Sequence, residues 1–388
     1  MKRISSRISF LVLFALASLM SGSALSFSGG SDPDFYKESS KKKTLEMVFV
    51  LDTTGSMGGL IEGAKQKIWS IVNGVMSGKE KANVKIGLVA YRDNGDLYVT
   101  KVLPLTDDLD KVYTTLMAYE AGGGGDTPEN VRRALADGVH KVEWSKKGKN
   151  ISQIIFLVGD APPHNDYPQE PDVLETTAKA VSQNMIVNTI QCGNLNGTKE
   201  IWQEIARRGE GKYFAIAQDG GVQAISTPYD KELSELGSKI GGTYLAYGGG
   251  AGEAGRQFRL NKMEEQASTE VSVSAAAPKV AQADRAVNKA INSRAYANDL
   301  LQEIENGRIT LKDVKKEDLP DELKSLSAVE LEKEVQKRIT DRKELRAKIL
   351  ELSKKRDAYI KAERAKIGKQ DGFDSAVEEA LLEQMARP

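Results

Sequence analysis

The stretch VFVLDTTGSMGGL, residues Val48 to Leu60, places Asp52, Thr54 and Ser56 at alternate positions directly after an apolar run. Such a run is typical of a strand that is buried on both faces, as in a parallel sheet. In open α/β sheets, ligands bind beyond the carboxyl ends of the strands. One carboxylate and two hydroxyls are hard oxygen ligands, which suit Mg²⁺ or Mn²⁺. The pattern leaves one alternative open, in which Ser56 only caps the helix that follows.

The same alternation of strand and helix patterns continues over residues 44–247. Four short runs rich in β-branched residues predict buried strands, namely LEMVFVL, VKIGLVAY, SQIIFLVG and MIVNTIQ. Amphipathic segments between them predict helices that start near Gly58 and cover 130–144, 172–184 and 198–207. The run LYVTKVLPL predicts an antiparallel edge strand, because Pro104 cannot donate to a ladder. The fold class is therefore α/β, with a doubly wound, mostly parallel sheet flanked by helices, followed by an all-α C-terminal extension.

Two later segments place further candidate ligands at the same edge of the sheet. The glycine-rich loop AGGGGDTPEN, residues 121–130, carries Asp126 and Thr127 at its tip. The run FLVGDAPPH ends a predicted strand with Asp160. Because the carboxyl ends of parallel strands meet at one edge, we expect these side chains to lie near Asp52.

Together these segments resemble the von Willebrand factor type A (VWA) fold and its metal-ion-dependent adhesion site, over about residues 44–247. The rest of the sequence, including the segments YLAYG and KRDAYIKAERA, resembles a group of exported bacterial VWA proteins with a helical C-terminal tail. The resemblance implies that Asp52, Thr54 and Ser56 match the family's D-x-S-x-S motif, with Thr54 in place of the first serine. It also implies that Asp160 matches the later aspartate, which reaches the metal through water.

Two neighbouring residues of the glycine-rich loop, Asp126 and Thr127, are alternative candidates for the next ligand. The family usually supplies a threonine, which favours Thr127. In this sequence Asp126 could reach the ion instead, while Thr127 caps a helix that begins with Pro128. Glu129 is a lesser alternative. For His164 and Asp93 we expect structural or rim roles near the same face.

The N-terminus predicts export. Lys2, Arg3 and Arg7 precede a short apolar stretch, residues 8–20, and the small residues SGSALS follow it. That order is typical of a cleaved signal peptide, and the apolar stretch is too short for a membrane span. We therefore expect a signal peptide over 1–24, a disordered lead over 25–43, and a mature protein in the periplasm or secreted, with no membrane span after cleavage.

The composition changes beyond residue 247. Small residues and glycines over 248–284 predict a flexible linker, and the charged segment 285–388 predicts a helical tail that could form a weak coiled coil. Ser327 and Glu330 predict a capping box before a long helix that runs to Ile367. Arg338, Arg342 and Arg356 interrupt its apolar stripe, so we expect a solvated hairpin or weak self-association rather than a strong zipper.

The function that the resemblance implies is binding of a partner protein, whose carboxylate completes the coordination of Mg²⁺ or Mn²⁺. The partner itself is unidentified. Equal numbers of basic and acidic residues, 55 of each, give no indication of nucleic-acid binding. The chain shows no nucleophile–base pair and no phosphate loop, so we do not expect an enzyme. The alternatives are a scaffold that acts through its tail with a vestigial metal site, or a metal-dependent enzyme or enzyme-partner subunit.

Overall fold

The computed structural model describes residues 43–78, 82–222, 224–367 and 372–385. The predicted signal peptide, and the predicted lead apart from Lys43, lie outside these ranges. The described residues form a six-stranded sheet in the order β3-β2-β1-β4-β5-β6, in which β3 is antiparallel and every other pair is parallel. The strands are β1 (Lys43–Asp52), β2 (Ala82–Tyr91), β3 (Thr100–Thr106), β4 (Ile151–Gly159), β5 (Met185–Cys192) and β6 (Glu210–Ile216). The predicted edge strand and the predicted parallel strands are confirmed.

Helices cover both faces of the sheet, as expected for a doubly wound fold. On one face of β1, Phe49 and the residues at alternate positions pack in a core with α1 (Gly58–Ser77) and α2 (Leu109–Met117). The intervening residues, such as Val48, pack on α3, α4 and α5. The helices on that second face are α3 (Val131–His140), α4 (Val173–Ser182) and α5 (Thr198–Arg208). This alternation follows from the period-2 geometry of a strand.

The side on which successive strands are added to the sheet changes at β1, and that change positions the candidate site. From β1 the chain adds β2 and β3 on one side, then crosses over to place β4, β5 and β6 on the other side. The carboxyl ends of β1 and β4 therefore flank the point where the topology switches. Ligands bind at such a point in open α/β sheets.

The segment predicted as a flexible linker, 248–284, is instead largely helical. It contains α7 (Gly252–Ala276) and the start of α8 (Lys279–Ile291). Small residues within it are buried against other elements: Ala281 belongs to the core beside α1, and Ala283 packs with Leu236 on α6 (Asp230–Gly241). The small residues thus let helices approach closely, which a composition typical of linkers does not reveal.

An ion-paired cluster holds α7 and α8 against α2. Arg285 on α8 donates to Asp110 at 2.6 Å and to Glu270 on α7 at 2.8 Å, and Lys289 donates to the same Glu270 at 2.5 Å. Both basic side chains are buried. We call Asp110, Glu270, Arg285 and Lys289 the ion-paired cluster.

The last two long helices also pack within the chain. The capping box at Ser327 and Glu330 is confirmed, and α10 (Ala328–Ile367) runs to the predicted end. Its stripe packs on α6, α8 and α9 (Leu300–Glu305). Two of the arginines expected to interrupt that stripe are buried and paired, Arg342 with Asp299 and Arg356 with Asp230 and Asp284.

The helix α11 (Phe373–Gln384) returns to the sheet. The ring of Phe373 lies 5.9 Å from that of Phe49, and its backbone N–H donates to the carbonyl of Gly220 at 2.9 Å. Residues of the predicted tail therefore contribute to the core of the sheet domain. Among the described helices, none combines the length and the apolar composition that crossing a membrane requires.

Candidate metal centre

The first strand delivers a buried carboxylate with one unused oxygen. Asp52 is the last residue of β1, and its Oδ1 accepts hydrogen bonds from the backbone N–H of Thr54 at 2.8 Å and from its hydroxyl at 2.7 Å. Its Oδ2 is buried and has no hydrogen-bond partner. A buried polar atom left in this way costs free energy unless something binds it. This oxygen therefore needs a cation or a proton.

The two hydroxyls converge on the same place. The Thr54 hydroxyl lies 3.4 Å from that of Ser56, and Ser56 is exposed while Thr54 is buried. The alternative in which Ser56 serves as a helix cap is not observed, since neither the short turn Gly55–Met57 nor α1 has a side-chain cap hydrogen bond. The site therefore opens toward solvent on the side of Ser56.

The glycine-rich loop brings Glu129 beside this pair. A methyl group added at Gly124 would lie 2.9 Å from Oε1 of Glu129 and 3.2 Å from Cβ of Thr54, and Gly124 has a φ of +78°. Only glycine tolerates both conditions, so this position lets the loop close over the site. Glu129 is buried, and its Oε2 has no hydrogen-bond partner.

The fourth strand supplies the third carboxylate. Asp160 follows β4, two residues beyond the register pair Leu51–Val158. Its Oδ2 accepts a hydrogen bond at 2.7 Å from Nε2 of Gln218, a residue that follows β6. Asp52, Glu129 and Asp160 are all buried, and we call them the site cluster.

Burial and mutual repulsion dominate the electrostatics of the site cluster. Burial, together with the charge of Asp160, raises the pKa of Asp52 to about 7 despite the hydrogen bonds from Thr54. Burial raises the pKa of Glu129 to about 9, with further contributions from Asp52, Asp93 and Asp160. Within the described part of the chain, no lysine or arginine forms a salt bridge with these three carboxylates. Arg92 lies near, but it donates to the carbonyls of Thr53 and Glu120.

The arrangement fits a divalent cation. The charges of Asp52, Glu129 and Asp160 interact, the hydroxyls of Thr54 and Ser56 lie beside Asp52, and all of these groups are hard oxygen donors. Two buried oxygens of these carboxylates are without partners. Such a donor set suits a divalent cation like Mg²⁺ or Mn²⁺. Asp52, Thr54 and Ser56 would hold it, with Glu129 and Asp160 beside them.

Asp126 and Thr127, unlike Glu129, lie on the exposed side of the glycine-rich loop. Both side chains are exposed, and Asp126 lies beside Asp93 and His164 rather than in the site cluster. The expected cap is also different: α3 begins at Val131, and Asn130 caps it by accepting a hydrogen bond from the backbone N–H of Arg133 at 3.1 Å. Pro128 is therefore not the first residue of the helix, and Thr127 is not its cap.

Comparison with known proteins identifies the sheet domain. Residues 46–228 match the family model of the von Willebrand factor A domain. This chain contains a VWA domain. The match covers β1 to β6 and their flanking helices, and it ends before α6.

Known proteins are similar to part of this chain. An ariadne-like RING finger protein of Acanthamoeba polyphaga mimivirus is 29% identical over 123 residues, which is 31% of this chain and 11% of that protein. The chain thus matches about a tenth of that relative. Among solved structures, the conserved hypothetical protein BatB from Bacteroides thetaiotaomicron is 16% identical, with 45% of this chain and 90% of that chain covered and a TM-score of 0.33. The SpRpn10 VWA domain is also 16% identical, with 46% and 89% covered and the same TM-score.

A VWA domain is typically a protein-interaction or adhesion module, and such domains often bind a divalent metal ion. Two residues of the candidate site have little or no signal in the sequence. The sequence favours Asp126 and Thr127 over Glu129 as candidate ligands, because the path of a glycine-rich loop does not follow from its composition. Gln218 had no signal, because it follows β6, whose residues are mostly half-exposed and do not form an apolar run.

Proposed function

We propose that the VWA domain binds a partner protein through Mg²⁺ or Mn²⁺ held by Asp52, Thr54 and Ser56, with Glu129 and Asp160 completing the site. The observation that supports this most is Oδ2 of Asp52, a buried carboxylate oxygen that no group of the described chain satisfies. Its neighbours are two more carboxylates and two hydroxyls. A partner carboxylate would supply the remaining ligand.

The chain's own residues prepare the site in three ways. Thr54 donates two hydrogen bonds to Oδ1 of Asp52, which fixes the carboxylate and leaves Oδ2 directed away from them. Gln218 holds one oxygen of Asp160 in place. Ser56 is exposed, so a ligand can approach from its side. The bound ion supplies positive charge that attracts an acidic side chain of the partner.

The proposal extends to location and to the kind of activity. We propose that the protein acts in the periplasm or after secretion, on the evidence of the basic and apolar N-terminal pattern of residues 1–24. We propose a binding role rather than a catalytic one, with the C-terminal helices as a second interaction surface or a spacer. An envelope interaction or assembly role fits both statements.

Affinity capture tests the proposal directly. The full chain is used to capture proteins from the native cell envelope in Mg²⁺ and in EDTA, alongside the variants Asp52→Asn and Asp107→Asn. Asp107 follows β3 at the opposite end of the sheet, is half-exposed and pairs with Arg294, and serves as the control. We expect a partner that the parent chain and Asp107→Asn capture in Mg²⁺ but that EDTA or Asp52→Asn releases. A partner retained equally by Asp52→Asn would place recognition elsewhere.

A further inference from the structure

An imidazole and two carboxylates meet next to the metal centre but outside it. Nε2 of His164 lies 3.3 Å from Oδ2 of Asp93 and 3.5 Å from Oδ1 of Asp126. One donor atom from each residue lies within 4.8 Å of the other two. His164 and Asp93 are each 5% exposed, whereas the side chain of Asp126 is 63% exposed. The group therefore has a buried floor and one open side.

The hydrogen bonds of His164 leave one ring nitrogen unused. Nδ1 lies 2.7 Å from Oδ1 of Asp166, an acceptor that favours a proton on Nδ1. Nε2 then carries the lone pair, and it is buried without a hydrogen-bond partner, as is Oδ1 of Asp93. A lone pair that faces two carboxylates is repelled by both. A positive centre between the three groups removes that repulsion.

Outer contacts hold two of the three groups in place. Oδ2 of Asp93 accepts a hydrogen bond from the Tyr167 hydroxyl at 2.7 Å, and the Tyr167 ring stacks on His164 with centroids 4.2 Å apart. The backbone N–H of His164 donates to the carbonyl of Glu129 at 3.1 Å. A histidine whose second nitrogen meets a carboxylate, and whose neighbours are also hydrogen-bonded, is the usual surrounding of a metal ligand.

The distances agree with a small tetrahedral ion. Bonds of about 2.0–2.1 Å to nitrogen and oxygen put neighbouring donors of a tetrahedral site about 3.3 Å apart. The contacts of His164 with Asp93 and Asp126 are 3.3 and 3.5 Å. We infer that Asp93, Asp126 and His164 form a second metal site, which binds a transition-metal dication of the Zn²⁺ class and leaves a fourth position open to solvent.

This second site differs in chemistry from the metal centre. The site cluster and its hydroxyls offer oxygen donors alone, which suit Mg²⁺ or Mn²⁺, whereas an imidazole nitrogen favours zinc and its neighbours in the transition series. Burial lowers the pKa of His164, but the hydrogen bond to Asp166 and the charges of Asp93 and Asp126 outweigh it and raise the pKa. The surroundings thus attract positive charge to the ring, from a proton or from a metal ion.

Calorimetric titration of Zn²⁺ into the full chain tests this inference. The titration uses an Asp52→Asn background, in millimolar Mg²⁺, so that the metal centre does not contribute. We expect one Zn²⁺ per chain. Adding Asp126→Asn should weaken binding at least tenfold, and because Asp126 is exposed this change should leave the fold intact. Asp166→Asn should weaken it about 10–100-fold, the usual effect of an outer-shell partner.

The two histidines of the chain provide a matched pair. His164→Gln should abolish Zn²⁺ binding, whereas His140→Gln, at the exposed end of α3, should leave it unchanged. If the Asp52→Asn chain binds no Zn²⁺, or binds it equally well with Asp126→Asn, His164 is an ion-paired imidazolium and the inference fails. The result is independent of partner capture, since that depends on Asp52.

Discussion

Two groups of buried acids in this molecule have opposite surroundings. In the ion-paired cluster, Asp110 and Glu270 face Arg285 and Lys289, and Arg285 alone bonds both acids. In the site cluster, three carboxylates share a buried space without a salt bridge to any described lysine or arginine. The pKa values move in opposite directions: burial tends to raise that of Asp110, but Arg285 holds it below the ordinary value, while that of Asp52 rises to about 7.

The contrast indicates what each group is for. Buried charge is tolerated when the fold supplies the opposite charge, and the ion-paired cluster then joins three helices. Where the fold supplies none, buried ionised acids reduce stability unless they are protonated or bind a cation. Functional sites commonly carry such strongly shifted pKa values. The first group therefore joins elements of the fold, whereas the second carries the charge imbalance that the proposed metal ion would relieve.

Removing the central cation of the ion-paired cluster should have the largest effect. Arg285→Met keeps most of the side-chain volume but leaves Asp110 and Glu270 buried without their main partner. Breaking a buried pair in this way costs about 3–5 kcal/mol of the free energy of unfolding. Urea denaturation measures it. The control Arg294→Met removes a half-exposed pair with Asp107 and should cost no more than about 1 kcal/mol; an equal loss in both variants would contradict the contrast.

Adding a divalent cation to the protein should have the next largest effect. At a hundredfold excess over its Kd, Mg²⁺ should raise the free energy of unfolding by about 2.7 kcal/mol. The corresponding rise in Tm is several degrees, and EDTA should reverse it. Differential scanning calorimetry of the parent chain and of Asp52→Asn gives the answer. A Tm of Asp52→Asn that rises with Mg²⁺ as the parent's does would show that Asp52 is not a ligand.

The same substitution in the two groups should change stability in opposite directions. Without metal, Asp52→Asn removes an uncompensated charge, while the amide oxygen still accepts from Thr54, so the free energy of unfolding should rise by about 1–3 kcal/mol. Asp110→Asn removes a charge that pairs with Arg285, so the free energy of unfolding should fall by about 1–3 kcal/mol. Parallel urea titrations in EDTA compare them. Changes of the same sign would mean that the site cluster is compensated within the protein.

The raised pKa of Asp52 also predicts a slope with pH. The folded-state pKa of Asp52, about 7, lies above its ordinary 3.8, so the folded state holds more protons than the unfolded one between these values. The free energy of unfolding of the metal-free protein should therefore fall as pH rises from about 4 to 7, by up to about 1.4 kcal/mol per pH unit for this group. Subtracting the profile of Asp52→Asn isolates the contribution. A flat difference across that window would be inconsistent with the raised pKa.

Sequence patterns predict the sheet, and the position of two candidate ligands at its edge, for the same reason. Apolar β-branched runs mark buried parallel strands, and the residues that end them, Asp52 and Asp160, necessarily meet at one edge. The sequence does not favour Glu129 as a ligand, because the path of its loop depends on a tertiary contact. In that contact Gly124 fits between Glu129 and Thr54. The flexible linker was mistaken for a related reason. Its alanines, such as Ala283, are buried against other helices, and its charged residues Arg259 and Asp284 pair with residues far away in sequence.

The return of α11 to the sheet has a consequence for the order of folding. Phe373 packs beside Phe49, and Gln384 pairs with Asn188 on β5. These contacts join residues that are synthesised far apart in time, and contacts so distant in sequence slow folding because a long loop must close first. One face of the VWA domain therefore stays incompletely covered until the ribosome has passed residue 384. A nascent chain that stalls before that point would expose the apolar surface around Phe49, which makes it a natural substrate for chaperones.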